Sequence, residues 1–167
     1  MHQELETAFL TQLNPHLGLV QRVCRLYGRQ AEERQDLQQE ILYQLWKAYP
    51  HFRGTAQFST WLYRVALNTA LTYERQRRRR PVAEPLEDWV RTLATPPEGP
   101  EAEQLRVLYS TIEQLSAVDK AVVLLYLEEQ PYAQIAAVTG LSVSHVSVRL
   151  VRIRKKLEQT RVGAEAR

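Results

Sequence analysis

Residues 131–158 read Pro131-Tyr132-Ala133-Gln134-Ile135-Ala136-Ala137-Val138-Thr139-Gly140-Leu141-Ser142-Val143-Ser144-His145-Val146-Ser147-Val148-Arg149-Leu150-Val151-Arg152-Ile153-Arg154-Lys155-Lys156-Leu157-Glu158. Pro131 suits the first turn of a short helix, where its missing N–H costs nothing. That helix is predicted over 132–138. Thr139-Gly140 then supplies a turn, because Gly140 is free to take a positive φ. Ser142 is a good N-cap for a second helix over 142–159. The small side chain of Ala136 permits a close helix crossing. A short helix, a glycine turn and a second, basic helix make the pattern of a DNA-binding helix-turn-helix.

At about 100° per residue the second helix divides into two faces. Val143, Val146, Leu150, Ile153 and Leu157 form one stripe, expected to face a core. Ser144, His145, Val148, Arg152 and Lys155 lie opposite, flanked by Ser147, Arg149 and Val151. In a major groove Arg152 can donate two hydrogen bonds to a guanine edge, Ser144 can donate or accept, and Val148 can meet a thymine methyl. Arg149, Arg154 and Lys156 are better placed for phosphates, which position a helix without specifying sequence. An amphipathic helix with solvated charges would share this pattern. It would not need the apolar Val148 on the face away from the core.

Upstream, Leu105, Leu108, Ile112 and Leu115, then Val122, Val123, Leu125, Tyr126 and Leu127, read as core for helices over 101–115 and 117–128. Before them, residues 81–100 hold five of the chain's eight prolines. Proline lacks a backbone donor and biases its predecessor away from helix. This segment reads as a linker in which Leu86, Trp89, Val90 and Leu93 form at most one amphipathic turn. Before the linker, helix signals cover roughly 3–28, 33–49 and 59–79. Glycine is scarce, at six residues, and strand-like alternation is absent. The expected fold class is therefore all-α: two small helical domains, 1–80 and 101–167, joined by a Pro-rich acidic linker at 81–100. The second is the helix-turn-helix domain.

The net charge of the 167-residue chain is +3, but its distribution is uneven. Residues 71–80 carry five Arg and one Glu, residues 81–130 three basic and ten acidic residues, and residues 131–167 seven basic and two acidic residues. Two basic blocks around an acidic stretch suit two contacts with a polyanion such as DNA or RNA. No stretch approaches the ~20 apolar residues of a membrane span. The start, Met1-His2-Gln3-Glu4, lacks the basic and apolar regions of a signal peptide, so a cytoplasmic location without membrane contact is expected. Cys24 is the only cysteine. On the helix expected over 3–28 it reads as a small buried or half-buried side chain rather than a reactive thiol.

In the first domain Leu37, Ile41, Leu42 and Leu45 make a core stripe. Asp36, Gln39 and Glu40 form a polar, acidic patch that can either support the helix dipole or dock a basic partner. The loop Phe52-Arg53-Gly54-Thr55-Ala56-Gln57-Phe58 carries two aromatics and a glycine, and Ser59 can cap the next helix. There Trp61, Leu62, Val65, Ala66, Thr69 and Tyr73 share the expected core face. Arg64, Asn68, Leu71 and Arg75 share another face, which leads into Arg77-Arg78-Arg79-Arg80. An aromatic loop beside a basic helix suits single-stranded nucleic acid, whose bases seek pockets and whose phosphates seek Arg.

Together these residues resemble the extracytoplasmic-function (ECF) sigma factors, the smallest class of bacterial RNA polymerase sigma factor. The resemblance covers nearly the whole chain. It is carried by Asp36-Leu37-Gln38-Gln39-Glu40, by Phe58-Ser59-Thr60-Trp61-Leu62-Tyr63-Arg64-Val65-Ala66-Leu67-Asn68, and by Ile135-Ala136 through Gly140-Leu141-Ser142-Val143 to Val146 and Arg152-Ile153-Arg154-Lys155-Lys156-Leu157. The resemblance implies that 1–80 corresponds to sigma region 2, which binds the polymerase clamp helices and the melted minus-ten element. It implies that 101–167 corresponds to region 4, which binds the duplex minus-thirty-five element and the polymerase flap. By position, Asp36, Gln39 and Glu40 would lie at the clamp contact. Phe52, Arg53 and Phe58 would hold a flipped base, and Arg64, Asn68 and Arg75 would meet the melted strand. Ser144, His145, Ser147, Val148, Arg149, Val151, Arg152 and Lys155 would meet the upstream duplex. The chain departs from the family pattern at Thr72, commonly Asp, and at Gln134, commonly acidic. The implied partners are core RNA polymerase, promoter DNA and an anti-sigma factor.

Two rival readings have their own signatures. A helix-turn-helix regulator acting without core polymerase would not need the Asp36–Glu40 patch or the aromatic loop. An enzyme would need a clustered site. His2, His16, His51 and His145 are scattered, none at metal-ligand spacing, and no Gly-rich phosphate loop is present. No catalytic residue, metal or cofactor is expected.

Overall fold

Pro15 decides the first boundary. The helix expected over 3–28 is two helices, α1 (His2–Leu13) and α2 (Leu17–Tyr27), separated by a 3-10 turn over Asn14–His16 with the proline in its first turn. A proline ring cannot donate to the preceding turn, so α1 ends there and the chain restarts. The structure is a computed structural model and describes residues 1–79 and 99–165. The expected linker turn of Leu86, Trp89, Val90 and Leu93 lies outside the described residues.

α3 (Ala31–Ala48) opens with a reciprocal cap, in which Glu33 accepts from the Arg29 and Gln30 backbone N–H groups at 2.7 and 3.4 Å. The turn between α2 and α3 is tight at Gly28. A Cβ there would lie 2.7 Å from Arg34 Cγ and 3.0 Å from the Cys24 carbonyl oxygen, so only glycine fits without displacement. A second 3-10 turn, Tyr49–His51, again carries a proline and leads to the loop before α4 (Phe58–Arg79). Helix α4 begins at Phe58, which puts Ser59 inside the first turn rather than at the cap.

The second group comprises α5 (Pro100–Glu113), α6 (Ala117–Leu127), α7 (Tyr132–Thr139) and α8 (Val143–Glu165). Ser116 caps α6, its hydroxyl oxygen accepting from the Asp119 N–H at 3.2 Å. The described residues form eight α-helices and two 3-10 turns, and no strand occurs among them.

The first-half core gathers Val20, Val23, Leu37, Ile41, Leu45, Leu62 and Ala66, each with no exposed surface. The second-half core gathers Val122, Leu125, Ile135, Val146, Leu150 and Ile153. The two groups touch. α4 packs on α2 and α3 on one side and on α6 and α7 on the other, while α2 also meets α5 and α6. This alters the expected core face of α4. Leu62 and Ala66 are buried as expected, but Trp61, Val65, Thr69 and Tyr73 are only half-buried. A second stripe of Tyr63, Leu67, Ala70 and Glu74 is buried instead. Leu105 and Leu127, expected in the core, are 48% and 55% exposed. Leu127 falls where α6 runs out before the positive φ of Glu129, and Leu105 shares the face of Ile112 but lies two turns earlier on α5, where it is left uncovered.

Candidate nucleic-acid interface

The helix-turn-helix is built as its residues dictate. Gly140 adopts φ +76°, a conformation that strains any residue with a Cβ, and its N–H returns to the Ala136 carbonyl at 2.9 Å. The Thr139 hydroxyl donates to the Ile135 carbonyl at 2.6 Å, and the Ser142 hydroxyl accepts from the His145 N–H at 3.2 Å. Pro131 stands at the cap of α7, one residue before its first turn. Val146, Leu150 and Ile153 dock α8 on α6 and α7, and Leu157 is half-buried. Val143, expected on this stripe, is 50% exposed, because it occupies the first helical position, before α8 crosses its neighbours.

The opposite face of α8 is open. Ser144, His145, Ser147, Val148, Val151, Arg152 and Lys155 are all exposed. Val148 and Val151 are 48% and 54% exposed, unusual for valine on a helix with no covering element. The side chains of Arg152 and Lys155 make no hydrogen bond or ion pair to another described residue. Arg149 differs. It donates to Asp119 Oδ1 at 2.7 Å and is only partly exposed, so it clamps α8 to the first turn of α6. Arg154 is likewise engaged. Its guanidinium lies 5.1 Å from the centre of the Tyr126 ring and donates to the Tyr126 hydroxyl.

In the first half, Asp36, Gln39 and Glu40 are exposed on the outer face of α3, with Gln44 donating to Glu40 at 2.8 Å. The loop after α3 closes an aromatic group. Phe52 is 4.9 Å from Trp61 and 5.8 Å from Phe58, and Phe58 is 5.4 Å from Trp61, between ring centres. Tyr49 and His16 flank it, at 6.3 Å from Phe52 and 5.5 Å from Phe58. Trp61, expected in the core, is half-buried in this group instead, and its three-residue spacing from Phe58 is the signal that pairs them. Gly54 turns the loop tip at φ +71°, with Arg53 exposed beside it.

Arg64, Asn68 and Arg75 are exposed along one side of α4, with Leu71 half-buried between them. The Thr72 hydroxyl donates to the Asn68 carbonyl at 2.9 Å. Arg64 donates to the Ala137 carbonyl of α7 at 3.2 Å. In the following basic run Arg77 is half-buried, while Arg78 and Arg79 stay exposed. Arg77 donates to Glu33 and to the Tyr27 carbonyl, each at 3.4 Å, and Arg78 donates to Glu74 at 3.2 Å.

Behind this face lies a polar group that periodicity does not announce. Glu74 is 3% and Lys120 4% exposed, and Glu74 Oε2 has no hydrogen-bond partner among the described residues. Burial holds the Lys120 ammonium below its ordinary pKa, with Glu74 opposing that shift. Burial pushes the Tyr27 and Tyr63 hydroxyls up, helped by Glu74 and Glu128 respectively. Cys24 is buried as expected, and burial pushes its thiol up to about 11. Among the described residues no group of three His, Cys, Asp or Glu side chains is placed to hold a metal ion.

Comparison with known proteins follows this division. Residues 13–80 match the family model Sigma-70 region 2, and residues 105–157 match Sigma-70, region 4. The RNA polymerase sigma-H factor of Pseudomonas aeruginosa is 34% identical, over 86% of this chain and 78% of that protein. The ECF RNA polymerase sigma-E factor of Haemophilus influenzae is also 34% identical, over 74% of this chain and 71% of that protein. The chain belongs to the ECF family of RNA polymerase sigma factors. Its fold is also that of the sigma factor RpoE of Bartonella quintana, solved with the anti-sigma factor NepR. The TM-score is 0.71 at 19% identity, covering 92% of this chain and 96% of that one. Membership gives the helix-turn-helix a partner domain, the region 2 match in the first half of the chain.

Proposed function

We propose that residues 1–80 dock on the clamp helices of core RNA polymerase and hold the melted minus-ten strand, while residues 101–167 bind the minus-thirty-five duplex and the polymerase flap. Residues 81–100 connect the two. Asp36, Gln39 and Glu40 supply the docking patch. Phe52, Arg53 and Phe58 receive an unpaired base, and Arg64, Asn68 and Arg75 follow the displaced strand. On α8, Arg152 and Ser144 read base edges, while His145, Ser147, Val148 and Val151 complete the surface in the groove. Lys155 neutralises phosphate, and Arg149 reaches the duplex only by giving up Asp119.

The observation that carries this reading is the open face of α8: seven exposed residues with no protein cover, two of them valines, on the second helix of a helix-turn-helix. The sigma factor needs no covalent chemistry of its own. Free energy comes from phosphate contacts and base capture, so binding weakens steeply with salt. It acts in the cytoplasm, where polymerase and DNA are. No single described helix is long and apolar enough to cross a membrane. An anti-sigma factor restrains it, a role supported by the complex in which the Bartonella quintana relative was solved.

The test adds the protein to core polymerase, transcribes fragmented genomic DNA and maps the starts. A shared pair of upstream elements at new starts is expected. Absence of any directed initiation would overturn the reading. Tight duplex binding without polymerase would favour a regulator acting alone.

A further inference from the structure

Helix α8 is held by α6 at both edges of its buried stripe, and the two grips are polar. Arg149 donates to Asp119 Oδ1 at 2.7 Å, with 35% of the arginine side chain and 16% of the aspartate side chain exposed. Arg154 lays its guanidinium 5.1 Å from the centre of the Tyr126 ring and donates to the Tyr126 hydroxyl. Asp119 and Tyr126 are about two turns apart on α6 and so lie on one face of it. Arg149 and Arg154 are separated by about 140° around α8. Val146, Leu150 and Ile153, all buried, run between them. Asp119 is itself fixed. Its N–H donates to the Ser116 hydroxyl oxygen at 3.2 Å, and its carboxylate sits in the first turn of α6, where the helix dipole favours negative charge.

We propose that Asp119 and Tyr126 are positioning residues that set the roll of α8 about its own axis, and that Arg149 stays on Asp119 when the helix-turn-helix sits on DNA. Roll matters only for a helix that reads base edges, so this rests on the proposed function. Apolar packing is non-directional, and the buried stripe alone resists a small roll weakly. A helix about 10–12 Å across moves its outer surface by about 1.4 Å for a roll of about 15°. Hydrogen bonds to a base edge hold only between about 2.7 and 3.2 Å. Such a roll therefore takes Ser144 and Arg152 out of register with the bases. With one arginine at each margin of the stripe, a roll either way lifts one of them from its partner. Transfer of Arg149 to a phosphate would leave the half-buried Asp119 carboxylate unpaired beside a polyanion, so the pair is kept in the complex. The cations left for the duplex are then those of the open face, Arg152 and Lys155.

The test uses holoenzyme assembled from the full chain and core polymerase. Its binding is measured on a promoter found by mapping starts, and on single-base variants of the upstream element, over a range of salt. A good base contact discriminates by about 5- to 150-fold. Asp119→Asn and Tyr126→Phe are each expected to reduce that discrimination about threefold or more, while Asp119→Glu, which keeps the charge, retains it. Arg149→Ala is expected to reduce it likewise and to leave the slope of log affinity against log salt unchanged. If Arg149 instead met a phosphate, its loss would lower the slope by about one and weaken all sequences alike, and that result would overturn the proposal. So would variants that melt at a lower temperature yet discriminate fully, since the contacts would then only hold the fold. In the free protein, thermal melts of Asp119→Asn, Arg149→Ala and the double variant are expected to show losses that do not add, and additive losses would also overturn it. Should no transcription be directed at all, the proposed function fails, and the melts of the free variants still decide whether Asp119 grips Arg149.

Discussion

Helices α4 and α8 look alike as strings of residues. Each is long, each is basic, and each carries apolar residues at helical spacing. They differ in where the charges go. On α4, Arg64, Arg77 and Arg78 each have a partner inside the protein, respectively the Ala137 carbonyl, Glu33 with the Tyr27 carbonyl, and Glu74. On α8, Arg149 and Arg154 are engaged, while Arg152 and Lys155 are exposed. Basic charge in a sequence is therefore not the same as charge available to DNA. α4 lies between two layers of helix: Arg77 ties it to α2 and α3 and Arg64 to α7, while Arg78 pairs with Glu74 on α4 itself. α8 is covered on one side, and its open side remains free to read.

The sharpest break of this comparison lies within α8 itself. Ile153 is 1% and Val151 54% exposed, two residues apart. Ile153→Ala is expected to lower stability by about 2–5 kcal/mol, as for other large-to-small core changes. Val151→Ala is expected to change it by less than about 0.5 kcal/mol. Urea unfolding measures both. Equal losses would mean that α8 has no open face.

The interior behind α4 has a signature in pH. The folded state holds the Cys24 proton up to about 11, whereas an unperturbed thiol releases it near its ordinary value of 9.0. A group with a raised folded pKa contributes stability that is complete below its unfolded pKa and is lost as pH rises toward the folded one. Stability should therefore fall between pH 9 and 11, and at about 1.4 kcal/mol per unit Cys24 accounts for about 2–3 kcal/mol of that fall. Tyr27 and Tyr63 add the same sign of change above their ordinary value of 10, while Lys120 acts in the opposite direction. Cys24→Ala is expected to flatten the limb from pH 9 in urea titrations. An unchanged slope would place the thiol in contact with water.

Arg77 and Arg152 separate the two helices by readout rather than by size. Arg77→Ala removes donors to Glu33 and the Tyr27 carbonyl and takes a cation from within 3.9 Å of the buried Glu74. A stability loss of about 1–3 kcal/mol is expected. Arg152→Ala is expected to leave stability within about 0.5 kcal/mol. It should instead weaken promoter binding by about 1–3 kcal/mol at one upstream base pair. A thermal melt and a promoter-mutant binding panel measure the two axes. Exchange of the outcomes would invert the assignment of α4 and α8.

What could be read in advance follows the same line. Gly140, Ser142 and the spacing of Val146, Leu150 and Ile153 fix the helix-turn-helix through local chemistry, and the open face follows by subtraction. The family's two regions were legible in the same way, from motifs whose residues act within a turn or two. The buried stripe Tyr63, Leu67, Ala70 and Glu74 was not legible, because its cover comes from α6 and α7, more than forty residues along the chain. Periodicity finds a stripe but not what covers it, which is also why Leu105 and Leu127 were misplaced. Arg77 was not legible as an internal cation, because Glu33 and the Tyr27 carbonyl are brought close to it only by the packing of α2, α3 and α4, whereas Arg78 meets Glu74 one turn away on the same helix.

The smallest expected effect is the most discriminating within α8. Lys155 and Arg152 are three residues apart on the same face, both exposed, so position alone does not separate their roles. Chemistry does. A guanidinium presents two donors in a fixed fork that matches a guanine edge, whereas an ammonium is a point charge suited to phosphate. Lys155→Ala should weaken binding of the polymerase holoenzyme almost equally on all promoter sequences and reduce the slope of log affinity against log salt by about one. Arg152→Ala should relax the preference at one base pair. If Lys155→Ala changed sequence preference while leaving the salt slope intact, the reading end of α8 would lie one turn further toward its C-terminus than Ser144 and Arg152 place it.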